Sequence, residues 1–263
     1  DPGCSRAFGL SAAGETVRLH SAHDGQITGY SERARFGASD PGGTWGRCEE
    51  CATGRDLVPL TAPTPGEANA GPVVGPLVIN EILYHFNGAT DVEYVELLNI
   101  SDANVTLYDS DRRAAWRFTD DPESPGIDLL FPSDPPITLG PGGYLLLAKD
   151  ISLCESHFVI PTSAQRLSWG IGRLRNSGET IQLCRPGDLD SDGVRSWIVV
   201  DRIRYSDGSQ HGDFPTGLDL WPAQADGRGL SLTRTSPERY GDDPLNWRAL
   251  TPSPGTTIPR TSR

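Results

Sequence analysis

The sequence predicts an all-β protein whose short strands form a two-layer sandwich. Thirty glycines and 22 prolines are spread along the 263 residues, which leaves little room for long helices. Short apolar runs with period-two alternation end in turn residues, as β-strands commonly do. In addition, the same sequence landmarks occur twice in the same order, which indicates two versions of one module.

The predicted strands begin at Leu77. "LVINEILY" (77–84) and "EYVELLNI" (93–100) are apolar with period-two features, and turn residues close the second. A Pro-Gly-Gly turn then precedes "YLLLA" (144–148), a fully apolar strand that we expect to be buried on both sides. "DISLCESHF" (150–158) predicts a short helix. Nine or ten strands suit a β-sandwich, the others being "VTLYD", "AWRFTD", "ITL", "ETIQLC", "WIVVDRIRYSD", "LSLTR" and "NWRAL".

Three landmarks make up the repeat. "GLSAAGETVRL" (9–19) returns as "RLRNSGETIQL" (173–183), and "YSERARFGAS" (30–39) is similar to "VDRIRYSDGS" (200–209). "PTPG" at 63–66 then returns as "PSPG", which begins at Pro252. The offsets grow from 164 to 169 to 189 residues, as expected if the second copy has longer loops between equivalent strands.

The two copies differ in completeness. About a hundred residues precede the repeated segment in the second copy, whereas fewer than ten precede it in the first. We therefore expect residues 1–62 to be the C-terminal part of a module whose opening strands lie upstream in a longer parent chain. We predict a Pro- and Gly-rich linker at residues 63–76. We predict that the complete sandwich spans residues 77–257 and that residues 258–263 are a tail.

A family resemblance emerges from the ordered segments of the second copy. "VINEILY", "DVEYVELLNIS", "ITLGPGGYLLLAKD", "LRNSGETIQL" and "DPLNWRALTPSPG" resemble, in that order, the lamin-tail domain. The resemblance implies an immunoglobulin-like β-sandwich, here in tandem with an incomplete first copy. It also implies a bacterial cell-surface or secreted protein, since such domains occur in many large proteins of that kind.

Composition and motifs bear on function. A net charge of −12 disfavours nucleic-acid binding, and no run reaches the ~18 apolar residues of a membrane span. Glu81, His85, Glu93 and Glu96 lie close together in sequence, but the resemblance assigns the three glutamates to framework strand positions. No nucleophile elbow, phosphate loop or paired-metal motif is present. We therefore expect a protein that is not an enzyme.

The loop "GDLDSDG" (187–193) is a candidate calcium site. Asp188, Asp190 and Asp192 alternate along the chain before Gly193, as in the opening of a calcium-binding loop. Position twelve of an EF-hand would be Val199, so the loop is not a regular EF-hand. The alternative is a solvated acidic turn, since Asp and Gly are common turn residues.

The cysteines leave several pairings open. Cys154 and Cys184 form either a disulfide or two independent buried thiols. Cys48 and Cys51 have the spacing of a small disulfide loop, with Cys4 as a further candidate, or of half a zinc site. His20 and His23 would complete a Cys2His2 zinc site.

Trp221 lies in the Gly-rich loop "GLDLWPAQADGRG" (217–229), where an exposed ring would stack on a sugar or a partner protein. The alternative is that the ring closes one end of the sandwich.

The expected function is that of a non-catalytic spacer or interaction surface, with other domains of the parent chain and protein or carbohydrate ligands as partners. The second hypothesis is a calcium-dependent ligand-binding appendage of an upstream enzyme.

Overall fold

The computed structural model describes residues 9–48, 51, 57–87, 91–121, 125–209 and 217–256. The fold is all-β, with a single α-helix in these ranges, and none of its helices combines the length and apolarity of a membrane span. The first part of the chain contains β1 (Glu15–His23), β2 (Gln26–Phe36), β3 (Thr44–Arg47) and β4 (Leu57–Leu60). The middle of the chain contains β5 (Leu77–Leu83), β6 (Tyr94–Asn99), β7 (Val105–Thr106), β8 (Tyr108–Asp109), β9 (Ala114–Ala115), β10 (Arg117–Asp120), β11 (Asp128–Leu130), β12 (Thr138–Leu139) and β13 (Tyr144–Ala148). The last part contains α1 (Ile151–His157), β14 (Gln165–Ser168), β15 (Gly178–Leu189), β16 (Arg195–Ser206), β17 (Ser231–Arg234) and β18 (Trp247–Leu250), with 3₁₀ helices at Ala223–Ala225 and Pro244–Asn246.

Two sheets dominate the part of the chain after residue 76. One has six strands in the order β14-β13-β6-β5-β17-β18, and the other has four in the order β11-β10-β15-β16. Neighbouring strands are antiparallel except β13 and β14, which are parallel. The first part of the chain forms two separate antiparallel hairpins, β1–β2 and β3–β4.

The two large sheets share one hydrophobic core. The six-stranded sheet contributes β5, β6 and β13, and the four-stranded sheet contributes β10, β15 and β16. Fully buried members include Ile79, Val95, Leu97, Leu147, Phe118, Ile181, Leu183 and Ile203. Burial of these side chains is the main favourable term holding the sheets together.

Strand β13 is buried on both faces, which confirms the expectation from its uninterrupted apolar run. Leu145 and Leu147 belong to the shared core, whereas Leu146 belongs to a second cluster that includes Cys154 of α1. The predicted helix is also confirmed. Asp150 caps it, because its carboxylate accepts the N–H of Leu153 and so satisfies one free donor of the first turn.

Asn99, at the end of β6, connects three segments of backbone. Its buried amide nitrogen donates to the carbonyls of Ala103, Leu139 and Gly140 at 2.8–3.0 Å, and its oxygen accepts the N–H of Ser101. One side chain therefore fixes the loop after β6 against the turn before β13.

Replacing Asn99 tests this connection. We expect Asn99→Ala to lower the free energy of unfolding by about 2–4 kcal/mol, because buried carbonyls lose their donor. Urea denaturation followed by tryptophan fluorescence measures the change. Asn176→Ala, at an exposed position, is the matched control and should shift stability by less than about 0.5 kcal/mol. Equal effects of the two substitutions would contradict the assigned role.

Candidate interaction surface

The β1–β2 hairpin has an apolar face that is open to solvent. In the antiparallel register Val17 lies opposite Ala34 and Leu19 opposite Glu32, and alternation places Tyr30 on the same side. Val17, Leu19 and Tyr30 are 41%, 66% and 59% exposed. We call the five residues Val17, Leu19, Tyr30, Glu32 and Ala34 the hairpin face. Clustered exposed apolar side chains of this kind mark interaction sites in folded proteins.

Hairpin β15–β16 repeats the geometry of β1–β2. A glycine with positive φ stands at the start of each, with Gly14 directly before β1 and Gly178 as the first residue of β15. In each hairpin a glutamate carboxylate accepts the N–H of the residue four positions earlier. These hydrogen bonds measure 2.6 Å for Glu15 and 2.9 Å for Glu179. Five consecutive cross-strand pairs then correspond: Glu15–Phe36 with Glu179–Tyr205, Thr16–Arg35 with Thr180–Arg204, Val17–Ala34 with Ile181–Ile203, Arg18–Arg33 with Gln182–Arg202, and Leu19–Glu32 with Leu183–Asp201.

The two hairpins differ in what covers them. Ile181 and Leu183 are fully buried in the core, whereas the equivalent Val17 and Leu19 are exposed. The same holds for the residue before each turn, because Leu174 is fully buried and Leu10 is 63% exposed. The first hairpin thus presents to solvent the side that the second hairpin packs against a sheet.

An ion pair joins each of these two hairpins to the hairpin that follows it in the chain. Arg234 of β17 donates to Asp201 of β16 at 2.6 Å, and Arg47 of β3 donates to Glu32 of β2. Asp201 also accepts the N–H of Ile79 in β5 at 2.8 Å. Within the described ranges no N–H of a facing strand donates to Glu32. The Glu32 carboxylate can therefore accept a hydrogen bond of the kind that Asp201 already accepts.

The Pro-x-Pro-Gly landmarks form the same turn. Gly66 and Gly255 both have positive φ, and the residue after each donates its N–H to a carbonyl three positions back. The turn that contains Gly255 is hydrogen-bonded to two carboxylates. Glu81 of β5 accepts the N–H of Ser253, and Glu96 of β6 accepts the N–H of Gly255.

Glu81 and Glu96 form a buried pair on neighbouring strands, in register with each other. Burial raises the pKa of both, and the adjacent Glu81 further raises the pKa of Glu96, which reaches about 8. The hydrogen bonds from Gly255 and Asn80 oppose this rise only in part. Sequence reasoning assigned these glutamates to framework positions but did not identify their partner, the C-terminal turn.

Asp40, between β2 and β3, joins the first part of the chain to the second. Its carboxylate accepts hydrogen bonds from Arg112 and Arg185, and the guanidinium of Arg185, together with that of Arg112, holds the pKa of Asp40 below its usual value. Arg112 also donates to Asp188, one residue of the predicted calcium loop, at 3.1 Å. No sequence signal predicted this connection, because its partners lie 72 and 145 residues away.

The other two aspartates of the loop lie at the β15–β16 turn. The Asp190 carboxylate accepts the N–H groups of Asp192 and Val194 at 2.9 and 2.8 Å. Asp190 therefore closes the turn, as the alternative interpretation required. Across the described ranges, no group of three or more acidic, His or Cys side chains is placed to hold a metal. Calcium binding by Asp188, Asp190 and Asp192 stays a prediction, and a melting temperature unchanged by a chelator would count against it.

Trp221 is buried, with only 4% of its surface exposed. Its ring packs at 5.8 Å from that of Trp247 and belongs to the shared core. The expectation of an exposed ring that stacks on a ligand is wrong, because burial in the core removes the ring face from solvent. The burial agrees with the alternative of a packed ring.

The cysteines have distinct roles. Cys48 and Cys51 form a disulfide, so neither sulfur is a thiolate available to zinc beside His20 and His23. Cys154 and Cys184 are separate buried thiols, so the proposed disulfide between them is absent. Burial raises the pKa of both thiols to about 12, which disfavours the reactive thiolate. Cys4 lies outside the described residues.

Comparison with known proteins gives no further identification. No protein-family model matches the chain, and no curated protein matches it.

The two hairpins differ in burial, so equivalent substitutions in them should lower the free energy of unfolding by different amounts. We expect Leu183→Ala to lower the free energy of unfolding by about 2–5 kcal/mol, because it leaves a cavity in the core. Leu19→Ala, the matched substitution on the hairpin face, should cost less than about 0.5 kcal/mol. Chemical denaturation of both variants of residues 1–263 measures this, and a cost at Leu19 equal to that at Leu183 would show that the hairpin face is buried.

The buried glutamate pair predicts a pH dependence of stability. Because the folded-state pKa values are raised, the folded protein binds more protons than the unfolded chain between pH 4.5 and about 8. The free energy of unfolding should therefore fall as pH rises through this window. Glu96→Gln should make the slope shallower by up to about 1.4 kcal/mol per pH unit. Denaturation curves of the wild-type protein and the variant from pH 5 to 8 provide the measurement, and equal slopes would contradict the raised pKa of Glu96.

Proposed function

We propose that the chain is a non-catalytic β-sheet module of a large extracellular or cell-surface bacterial protein, acting as a spacer and interaction surface. Residues 77–257 form an immunoglobulin-like sandwich of the lamin-tail type, and residues 1–62 are the C-terminal part of a second such module. The observation that carries the proposal is the exposed hairpin face, whose counterpart in β15–β16 is a sheet-packing surface.

The tandem arrangement is supported by three agreements that are independent of one another. They are the register of the two long hairpins, the acid–Arg pair joining each to the following hairpin, and the hydrogen-bonded Pro-x-Pro-Gly turn. In each agreement the two compared segments lie far apart in the sequence. A chance resemblance of one turn would not reproduce the other two.

A non-catalytic role is supported by the way the candidate catalytic carboxylates are used. Glu81 and Glu96 bind the C-terminal turn, and Glu93 accepts the N–H of Leu174 at 2.9 Å. His85 contacts Asp226 at 2.6 Å rather than any of these glutamates. These carboxylates therefore hold separate segments of the fold together.

The Cys48–Cys51 disulfide supports an extracellular location, because structural disulfides persist mainly in oxidising compartments. It is buried against Val58 and Leu60, and Tyr240 of the second copy packs on the same cluster. The bond therefore lies where the two parts of the chain meet.

Locating the native parent protein tests the proposed function. We expect antibodies against residues 1–263 to detect it on intact cells or in the medium. Alkylation without reduction, followed by mass spectrometry, should find Cys48 and Cys51 joined and Cys154 and Cys184 as free thiols. A cytosolic protein with reduced Cys48 and Cys51 would contradict the proposal.

A further inference from the structure

The hairpin face has a counterpart on the β15–β16 hairpin, and that counterpart is covered by another sheet. In the second copy, the equivalent residues pack against β5, β6 and β13 of the facing sheet. Leu183 and Ile181 are there fully buried, whereas Leu19 and Val17 remain open. The internal repeat thus indicates the kind of structure that covers such a face, namely a second β-sheet with apolar side chains toward it.

Polar groups near the hairpin face further define the chemistry of the covering structure. Asp201 accepts a backbone N–H from Ile79, so an equivalent covering strand would donate an N–H to Glu32. Leu174 donates its N–H to Glu93, so an equivalent covering strand would offer a carboxylate to the N–H of Leu10. In the described ranges neither Glu32 nor Leu10 has such a partner.

The Pro-x-Pro-Gly turn adds a third requirement. Ser253 and Gly255 donate their N–H groups to Glu81 and Glu96, which lie side by side on neighbouring strands. The equivalent N–H groups of Thr64 and Gly66 meet no carboxylate among the described residues. A covering sheet of the same type would supply two adjacent acidic side chains at this point.

The order of the strands indicates where the covering sheet comes from. In the second copy β5, β6 and β13 all precede β15 in the chain. The strands that cover β1–β2 would by the same order precede residue 9. They would form one continuous polypeptide with the hairpin, as the second copy does.

We propose that the hairpin face is the docking surface for opening strands of the first module, which precede these residues in the parent polypeptide. These strands carry an apolar face over Val17 and Leu19, a backbone N–H to Glu32, and acidic side chains to the N–H groups of Leu10, Thr64 and Gly66. The inference rests on the proposed tandem function and names the partner of its exposed surface.

Site-specific labelling tests the docking. Leu19→Cys is introduced into residues 1–263 and into the parent polypeptide extended upstream of residue 1, and maleimide labelling at position 19 is followed by peptide mass spectrometry. We expect labelling to be at least about tenfold slower in the extended protein, because the side chain becomes buried. Ile27→Cys, on the opposite face of the hairpin and 71% exposed, is the matched control and should label equally fast in both proteins.

A second measurement separates docking from a general change in folding. Glu32→Ala should lower the melting temperature of the extended protein more than that of residues 1–263, because only the extended protein has the hydrogen bond from a strand N–H to the Glu32 carboxylate that the substitution removes. Equal labelling of Leu19→Cys in both proteins, or an upstream sequence without strands, would overturn the proposal. So would a dimer of residues 1–263 that protects position 19, since a second copy would then be the occupant. The proposed extracellular function is decided separately, by cell location and the Cys48–Cys51 bond.

Discussion

The way in which the two large sheets meet is fixed by one buried carboxylate. Asp201 on β16 accepts the N–H of Ile79 on β5 and the guanidinium of Arg234 on β17, which is itself buried. Arg234 also donates to the carbonyl of Ile79. A buried charge is tolerated only when it is paired and hydrogen-bonded, so these groups have to be in place together. Apolar burial supplies the driving force, and this cluster fixes how the sheets meet.

The first part of the chain contains a similar ion pair but not the hydrogen bond from a facing strand. Glu32 and Arg47 form the equivalent ion pair, but among the described residues no facing strand completes it. The pair is also partly exposed, so it contributes little stability by itself. Similar ion pairs therefore contribute differently in the two parts of the chain, because the surroundings rather than the residue types determine their energetic role.

Much of the strand content could be predicted from the sequence. Alternation and turn residues identified β5, β6, β13, β15 and β16, and the helix α1 lay within its predicted range, since these signals are local. Contacts between distant residues were not predictable in this way. Asp40 meets Arg112 and Arg185 only after folding, and Trp221 is buried by Trp247 although its loop is rich in glycine. The exposure of Val17 and Leu19 was not predictable either, because it depends on which strands face them and not on the local pattern.

The hairpin β1–β2 also raises the question of how it is held. A two-stranded hairpin is marginal in water without a packed face. Here it is held by contacts to neighbouring segments: Phe36 contacts Trp45 of β3, Glu32 pairs with Arg47, and Asp40 binds Arg112 and Arg185. Val17 and Leu19 stay exposed in spite of these contacts, so the hairpin is anchored while its apolar face remains open. The anchoring explains how an exposed sheet-packing surface can keep the strand register of its buried counterpart.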